Sequence, residues 1–174
     1  MSLELLIAAV LVVVGATTPE RIDEVREIVE AANDASISSG YANTRLAALA
    51  VKESGARVDV VGHRGECGAT QVMGWFLRPA MRCRELQSPQ GGYVGTLRAL
   101  EQWRVYTRGK NIVRHDIEWD CYAAGQSCVN YSRPGMATRR LYRQESRLLA
   151  TGVALQTNAV AAALASVPHR RHGS

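Results

Sequence analysis

A chain of 174 residues can enclose one hydrophobic core but is too short for two comfortable domains, so we expect a single active or binding site. Hydrophobic residues make up 47% and charged residues 21%, which excludes an extended disordered protein. The net charge of +5 favours an anionic partner, either nucleic acid or an acidic cell-wall polymer. No recognisable nucleic-acid-binding motif accompanies the basic residues, so we expect no nucleic-acid partner.

Residues 1–17 form an apolar N-terminal segment. Residues 5–14 are almost entirely apolar, which is too short for a helix that spans a bilayer but matches the core of a signal peptide. Residues 14–16 resemble a small-residue cleavage site, whereas Glu4 stands where a leader usually carries a cation. Two interpretations stay open: a leader that is removed, or a buried or membrane-contacting helix that serves anchoring or assembly.

Helical periodicity begins directly after this segment. Thr18 and Pro19 are typical of an N-cap and a first helical turn, and the apolar spacing that follows predicts a helix to about Ala32. A polar stretch then predicts a break. The next helix is expected to begin at residue 41 or 42 and to end at Glu53, before a Ser-Gly pair.

Residues 57–74 are rich in glycine and predict an irregular lobe. Residues 58–61 favour a short strand, and a helix is expected near Gln71. Apolar spacing predicts further helices over residues 93–106, 116–124, 136–149 and 153–165. The sequence therefore predicts one mainly α domain over residues 18–166 with at most a very small β element, followed by a basic flexible tail over residues 167–174.

The four cysteines, Cys67, Cys83, Cys121 and Cys128, contain no CxxC pair. Zinc sites usually bring their ligands in close pairs, so the set favours two disulfides over a metal site. Local pairing, with Cys67 bonded to Cys83 and Cys121 to Cys128, closes short loops, although three connectivities are formally open and reduced thiols are the alternative. Two disulfides predict an oxidising compartment such as the periplasm or a virion.

Three short segments carry the functional hypothesis: AVKESG at residues 50–55, GHRGECGATQV at 62–72 and WDCYAAG at 119–125. Their order and spacing resemble the soluble lytic transglycosylase family of the lysozyme-like superfamily, over roughly residues 42–145. In that family a helix ends in Glu-Ser, a glycine-rich loop carries a Gly, Ala and Gln pattern, and a later helix bears a tyrosine. The resemblance implies a lysozyme-like fold, peptidoglycan glycan strands as partner and substrate, and no metal or organic cofactor.

Individual residues can be matched to the family pattern. The resemblance implies that Glu53 is the catalytic acid and that Ser54 is its usual neighbour at the substrate site. Gln71 matches the glutamine that lines the substrate groove, with Gly68 and Ala69 shaping the loop before it. Tyr122 matches the tyrosine that closes the site over the glutamate.

One residue departs from the family pattern. Ala123 stands where the family usually has an asparagine directly after the tyrosine. An alanine side chain makes no hydrogen bond, so this change puts substrate positioning in doubt. It also leaves room for a relative that keeps the fold without the activity.

The chemistry expected of Glu53 agrees with this role. A carboxyl group at the end of an apolar helix is partly desolvated, and desolvation favours the protonated form of a carboxyl group. Glu53 can then donate its proton to the glycosidic oxygen, and the resulting carboxylate can take a proton from the attacking hydroxyl. In a transglycosylase the attacker is the 6-hydroxyl of the muramic acid itself, which leaves a 1,6-anhydro end. A hydrolase uses water and usually a second carboxylate, for which Glu66, Asp59 and Asp120 are the candidates, with Glu66 favoured because it lies in the second segment.

Aromatic side chains present flat apolar faces to sugar rings, and Trp75 and Tyr131 are the candidates because each follows one of the three segments. The sequence thus predicts a lytic transglycosylase that cleaves the β-1,4 bond between N-acetylmuramic acid and N-acetylglucosamine. Alternatives are a lysozyme-type hydrolase and an inactive wall-binding protein of a phage particle or secretion apparatus. All three imply an exported or virion-associated protein.

Overall fold

The computed structural model describes residues 1–112, 114, 116–130 and 134–165. These residues form a mainly helical domain with one small antiparallel sheet, which confirms the predicted fold class. The described helices are α1 (Leu3–Val14), α2 (Pro19–Ser39), α3 (Asn43–Ser54), α4 (Cys83–Leu86), α5 (Pro89–Gly109), α6 (Ile117–Ala124) and α7 (Met136–Ala165). The strands are β1 (Glu66–Cys67) and β2 (Val72–Met73), and 3-10 turns cover Gly74–Phe76 and Gly125–Asn130.

Helix α2 begins as predicted, because the Thr18 side chain accepts a hydrogen bond from a first-turn amide. Its predicted end near Ala32 is wrong, since the helix continues to Ser39. The hydroxyl groups of Ser38 and Ser39 donate to the carbonyl of Ala35 at 3.1 and 2.6 Å, so they bond back along the helix instead of interrupting it. The side chain of Ala35 is buried and extends the apolar face past the predicted break.

Helix α3 lies at the centre of the domain, between α2 and α7. It covers Asn43–Ser54, within a residue or two of its predicted bounds, and Gly55 ends it in the left-handed conformation with φ of 68°. Leu46 and the four residues after it are all buried. This burial anchors α3 in the core up to its last turn, whose residues 51–54 are half-buried.

The irregular lobe between α3 and α4 contains the two-stranded sheet. Glu66 pairs with Met73, and Cys67 pairs with Val72. The predicted strand over residues 58–61 contributes only one isolated bridge, from Val61 to Cys67. The helix predicted near Gln71 is wrong, because this residue lies in the turn between the strands.

The two helices predicted over residues 136–149 and 153–165 form the single helix α7. Gly152 lies inside it and does not break it. A Cβ atom at this position would lie 2.4 Å from the Sδ atom of Met1 and 3.5 Å from Cγ of Leu5, so glycine permits the close approach of α1. The predicted tail over residues 167–174 lies outside the described residues.

Helix α1 packs against α2, α3 and α7. Leu6, Ala9 and Val10 are fully buried, whereas Val12 on the same helix is 59% exposed. The N-terminal segment therefore contributes side chains to the main hydrophobic core. Among the described residues, none of the helices combines the length and the apolar character that crossing a bilayer requires.

The four cysteines form two disulfides with the predicted local pairing, Cys67 to Cys83 and Cys121 to Cys128. The first joins β1 to α4, and the second joins α6 to the 3-10 turn that follows it. The first bond therefore cross-links the irregular lobe to α4, and the second cross-links the end of α6. Two disulfides are compatible with an exported protein.

The packing of α1 predicts that Leu6→Ala destabilises the domain by about 2–5 kcal/mol, because the substitution leaves a cavity in a fully buried site. Val12→Ala on the exposed side of the same helix should cost less than about 0.5 kcal/mol. Urea unfolding followed by circular dichroism measures both free energies. Equal unfolding midpoints for the two variants would contradict the packing described for α1.

Candidate active site

The site is organised around the turn of residues 68–71, which connects β1 to β2 and faces the end of α3. Gly68 has φ of 79°, and a Cβ atom there would lie 2.0 Å from the carbonyl oxygen of Leu86. Only glycine satisfies both constraints. Gln71 also has a positive φ, of 55°. The glycine of this segment is therefore required by the backbone geometry of the turn.

Ser54 fastens this turn to α3. Its hydroxyl lies 2.8 Å from the carbonyl oxygen of Ala69 and 3.1 Å from that of Ala50, and it accepts a hydrogen bond from the amide of Arg57 at 2.9 Å. The side chain of Ala69 is buried. The structure thus places Ser54 and Ala69 in contact with each other, and the Ser54 hydroxyl bonds to protein backbone on every side.

Tyr122 fastens the same turn to α6. Its hydroxyl donates to the carbonyl of Thr70 at 2.8 Å and lies 3.4 Å from the hydroxyl of Thr96 on α5. The Thr70 hydroxyl donates to the carbonyl of Gly92 at 3.3 Å. Helices α3, α5 and α6 therefore each form a hydrogen bond with the turn, through the Ala69 carbonyl, the Thr70 hydroxyl and the Thr70 carbonyl respectively.

Burial raises the pKa of Tyr122, and the charge of the Glu53 carboxylate adds to the rise, while the hydrogen bond with Thr96 opposes it. The hydroxyl consequently stays protonated and remains a hydrogen-bond donor throughout the neutral range.

Glu53 lies on the last turn of α3, where its side chain is 22% exposed. Its Oε1 atom accepts a hydrogen bond from the ammonium group of Lys52. Sequence reasoning did not predict this ion pair, because consecutive residues on a helix do not normally face each other. The Lys52 ammonium therefore becomes part of the candidate site.

A groove of about 520 Å³ runs along the lobe beside α6. Gln71, Trp75 and Tyr122, three of the predicted site residues, line it together. Glu53 is not among the described residues that form its walls. Sequence reasoning missed most of the other wall residues, which are Arg64, Val72, Met73, Phe76, Ala99, Trp103, Cys121, Ala124, Gly125 and Gln126.

The aromatic residues of this groove differ in exposure. Trp75 is 66% exposed, so its ring is accessible to a ligand. Phe76 stacks on Trp103 with their ring centroids 4.8 Å apart, which makes this pair part of the groove floor. The apolar run Met-Gly-Trp-Phe, which begins at the end of β2, was the sequence pattern that could have indicated this groove wall. Tyr131, the second predicted sugar-binding aromatic, lies outside the described residues.

Gln71 contributes to the groove and also to the loop. Its side-chain amide donates to the carbonyls of Val60 and Gly68 at 3.1 and 2.9 Å. Ala123 also lines the groove, where it offers no polar side-chain atom. The groove therefore has fewer polar side chains to orient a ligand than the family pattern implies.

Glu66 has a different position from the one expected of a second carboxylate. Its Oε2 atom accepts a hydrogen bond from the amide of Arg64 at 2.9 Å, and a Cβ atom at Gly62 would lie 2.5 Å from it. The carboxylate thus folds over its own loop. Glu66 is not among the described residues that line the groove.

The bond from Ser54 to Ala69 predicts the cost of Ser54→Ala. The substitution leaves the buried carbonyl of Ala69 without this donor, which should lower the free energy of unfolding by about 1–3 kcal/mol. Ser38→Ala removes a hydroxyl bonded to Ala35 at an exposed position and is the matched control, with a cost near zero. Chemical unfolding compares the two. An equal effect in both would mean that Ser54 does not hold the turn.

The raised pKa of Tyr122 predicts a loss of stability at high pH. The folded protein binds the hydroxyl proton more tightly than the unfolded chain, so this stabilisation is complete below about pH 10 and is lost as the pH rises further. Between pH 10 and 12 the wild type should lose up to about 1.4 kcal/mol per pH unit more than Tyr122→Phe, which lacks the titrating group. Unfolding free energies measured over this range test the difference. Parallel curves for the two proteins would contradict it.

The structure therefore brings Gln71, Trp75 and Tyr122 to one groove and uses Ser54 to hold the turn next to it. Glu53 and Glu66 both lie outside the described residues that form the groove walls. The groove can present the aromatic face of Trp75 to a ligand. No protein-family model, no curated protein and no solved structure matches the chain.

Proposed function

We propose that this protein is a peptidoglycan lytic transglycosylase with Glu53 as its acid and base. The observation that carries the proposal is the position of Glu53 on the last turn of α3, directly before Ser54, whose hydroxyl bonds the same turn that Tyr122 bonds from the wall of a groove with an exposed tryptophan. Ser54 and Tyr122 both bond to the intervening turn, so the carboxyl group and the groove wall have a fixed spacing.

The proposed reaction uses one carboxyl group twice. Protonated Glu53 donates its proton to the glycosidic oxygen, and the bond from this oxygen to C1 of the muramic acid breaks. Positive charge develops on the sugar ring as the bond breaks. The Glu53 carboxylate then takes the proton of the 6-hydroxyl, whose oxygen bonds to C1 and forms the 1,6-anhydro ring. The Lys52 ammonium lies beside the carboxylate that remains between these two steps and stabilises it electrostatically.

Glycan binding is proposed for the groove. The exposed indole of Trp75 offers an apolar face for a pyranose ring, and its polar edge suits sugar hydroxyls. Arg64 and Gln126 add polar groups along the same walls. Tyr122 lines the groove, so the proposal places one linkage of a bound strand at Tyr122, where the Glu53 carboxyl group has to reach it from outside the described groove walls.

The position of Glu66 favours transglycosylation over hydrolysis. A hydrolase of the usual kind needs a second carboxylate to activate water or to act as nucleophile. Glu66 bonds to its own loop, and intramolecular attack by the 6-hydroxyl needs no such group. Hydrolysis by water is the alternative outcome of the same site.

One observation favours a second candidate function. Ala123 removes the amide that the family pattern places in the groove, and a wall-binding protein without activity needs no such positioning group. Such a protein would serve a phage particle or a secretion apparatus. For either function we propose an exported setting, the periplasm or a virion, which the two disulfides support.

Replacing Glu53 with Gln tests the catalytic role. Glu53→Gln keeps the shape of the side chain but removes the proton, so the release of sugars from purified sacculi should fall at least about a hundredfold. Mass spectrometry of the wild-type digest should show 1,6-anhydro ends. Glu66→Gln is the matched control and should retain the wild-type rate.

Other outcomes of this digest identify the alternatives. Reducing ends in place of anhydro ends would assign a hydrolase. Binding of the wild type to sacculi without any product would assign a wall-binding protein. Full activity of Glu53→Gln, with the fold verified by circular dichroism, would remove Glu53 from the mechanism.

A further inference from the structure

A second, smaller pocket lies next to the candidate active site. It has a volume of about 290 Å³ and shares Ala123 and Ala124 with the groove. Lys52, the partner of Glu53, lines it, and the start of α7 forms the opposite wall. The pocket therefore begins one side chain away from Glu53. Its volume suits a side group of a substrate better than a run of sugar rings.

The charges around this pocket are mainly positive. Lys52 and Arg140 both line it. Among the described residues, the Arg140 guanidinium makes a weak polar contact to the sulfur of Met136 at 3.9 Å and forms no ion pair. An arginine with no carboxylate partner can bind an anion through two parallel hydrogen bonds.

The one acid in the pocket wall does not cancel this charge. Asp120 is buried and ion-paired with Arg114. Its other oxygen accepts hydrogen bonds from the amide of Gly135, at 2.7 Å, and from the hydroxyl of Thr138. These three donors occupy the carboxylate, and the Arg114 guanidinium balances its negative charge.

The backbone of the pocket adds a third attraction for anions. Met136 and Ala137, the first two residues of α7, belong to the wall. The first amides of a helix have no acceptor within the helix, and the helix dipole is positive at this end. The helix start and Arg140 line the same pocket, so both attract negative charge to this space, and Lys52, which is also bonded to Glu53, adds to them.

We propose that this pocket is a subsite for a carboxylate carried by the glycan strand, held by Arg140 and Lys52. The inference rests on the proposed function, because it assumes that the groove holds a glycan. Peptidoglycan offers two sources of this group, the lactyl carboxylate of muramic acid and the carboxylates of its peptide stem. A neutral glycan such as a polymer of N-acetylglucosamine offers none. The subsite thus selects anionic over neutral strands at a position next to the proposed cleavage point.

Calorimetric titration of three oligosaccharides tests the subsite. The protein carries Glu53→Gln to prevent cleavage, and the probes are a neutral hexamer of N-acetylglucosamine, an alternating hexamer with free lactyl carboxylates, and the alternating hexamer with peptide stems. At low ionic strength, Arg140→Gln should weaken binding of an anionic hexamer about tenfold and leave the neutral hexamer unchanged. A loss for the lactyl hexamer identifies that carboxylate, and a loss confined to the peptide-bearing hexamer identifies the stem.

Arg139→Gln is the matched control, because it removes the same charge from the neighbouring exposed position of α7 and lies outside the pocket wall. It should leave all three affinities within twofold of the parent protein. Equal losses from the Arg139 and Arg140 substitutions, or an Arg140 effect on the neutral hexamer as well, would overturn the subsite. So would a parent protein that does not prefer the anionic hexamers.

The digest of sacculi by the wild type separates this result from the proposed function. If anhydro ends are released but Arg140→Gln has no selective effect, the subsite alone is rejected. If the wild type releases no product, the transglycosylase is rejected whatever the titration shows.

Discussion

Two backbone carbonyls, those of Ala69 and Thr70, accept hydrogen bonds from Ser54 and Tyr122, and the candidate site depends on this pair of bonds. The donors come from helices that are far apart in the chain, so the bonds join the end of α3, the turn and α6 into one unit. Each bond satisfies a carbonyl that has little access to water, and such groups are costly to leave unpaired. The position of Glu53 next to the groove follows from the same bonds.

The charges near this unit are arranged on two sides of α6. On one side is the groove, whose walls are largely apolar and include Trp75. On the other is the smaller pocket, where Arg140 and the start of α7 attract anions. Lys52 connects the two, because its ammonium group contacts Glu53 and also lines the smaller pocket. The Glu53 carboxylate and the smaller cationic pocket are therefore connected through one lysine side chain, and the function we propose assigns a role to each.

Much of the fold was predictable because it follows from local patterns. The N-cap at Thr18, the end of α3 at Gly55 and the mainly α class all depend on residues within one or two helical turns. The cysteine pairing was predictable for a related reason, since short loops favour local disulfides. Of the candidate site, sequence similarity placed Gln71 and Tyr122, which the structure brings to one groove. The hydrogen-bond partners of these side chains were not predictable, because they come from distant elements.

The sequence by itself determined the start of α2, the end of α3 and the mainly α class of the fold, since capping residues and periodicity are local properties. The tertiary structure alone decided that α7 continues through Gly152, where the side chains of α1 pack closely against the glycine. It also decided that Gln71 lies in a turn and that Glu66 folds onto its own loop. The tertiary structure likewise decided that Lys52 pairs with Glu53 and that a second pocket forms beside them. The neighbours of a side chain depend on which helices pack around it, and the sequence pattern does not give this packing.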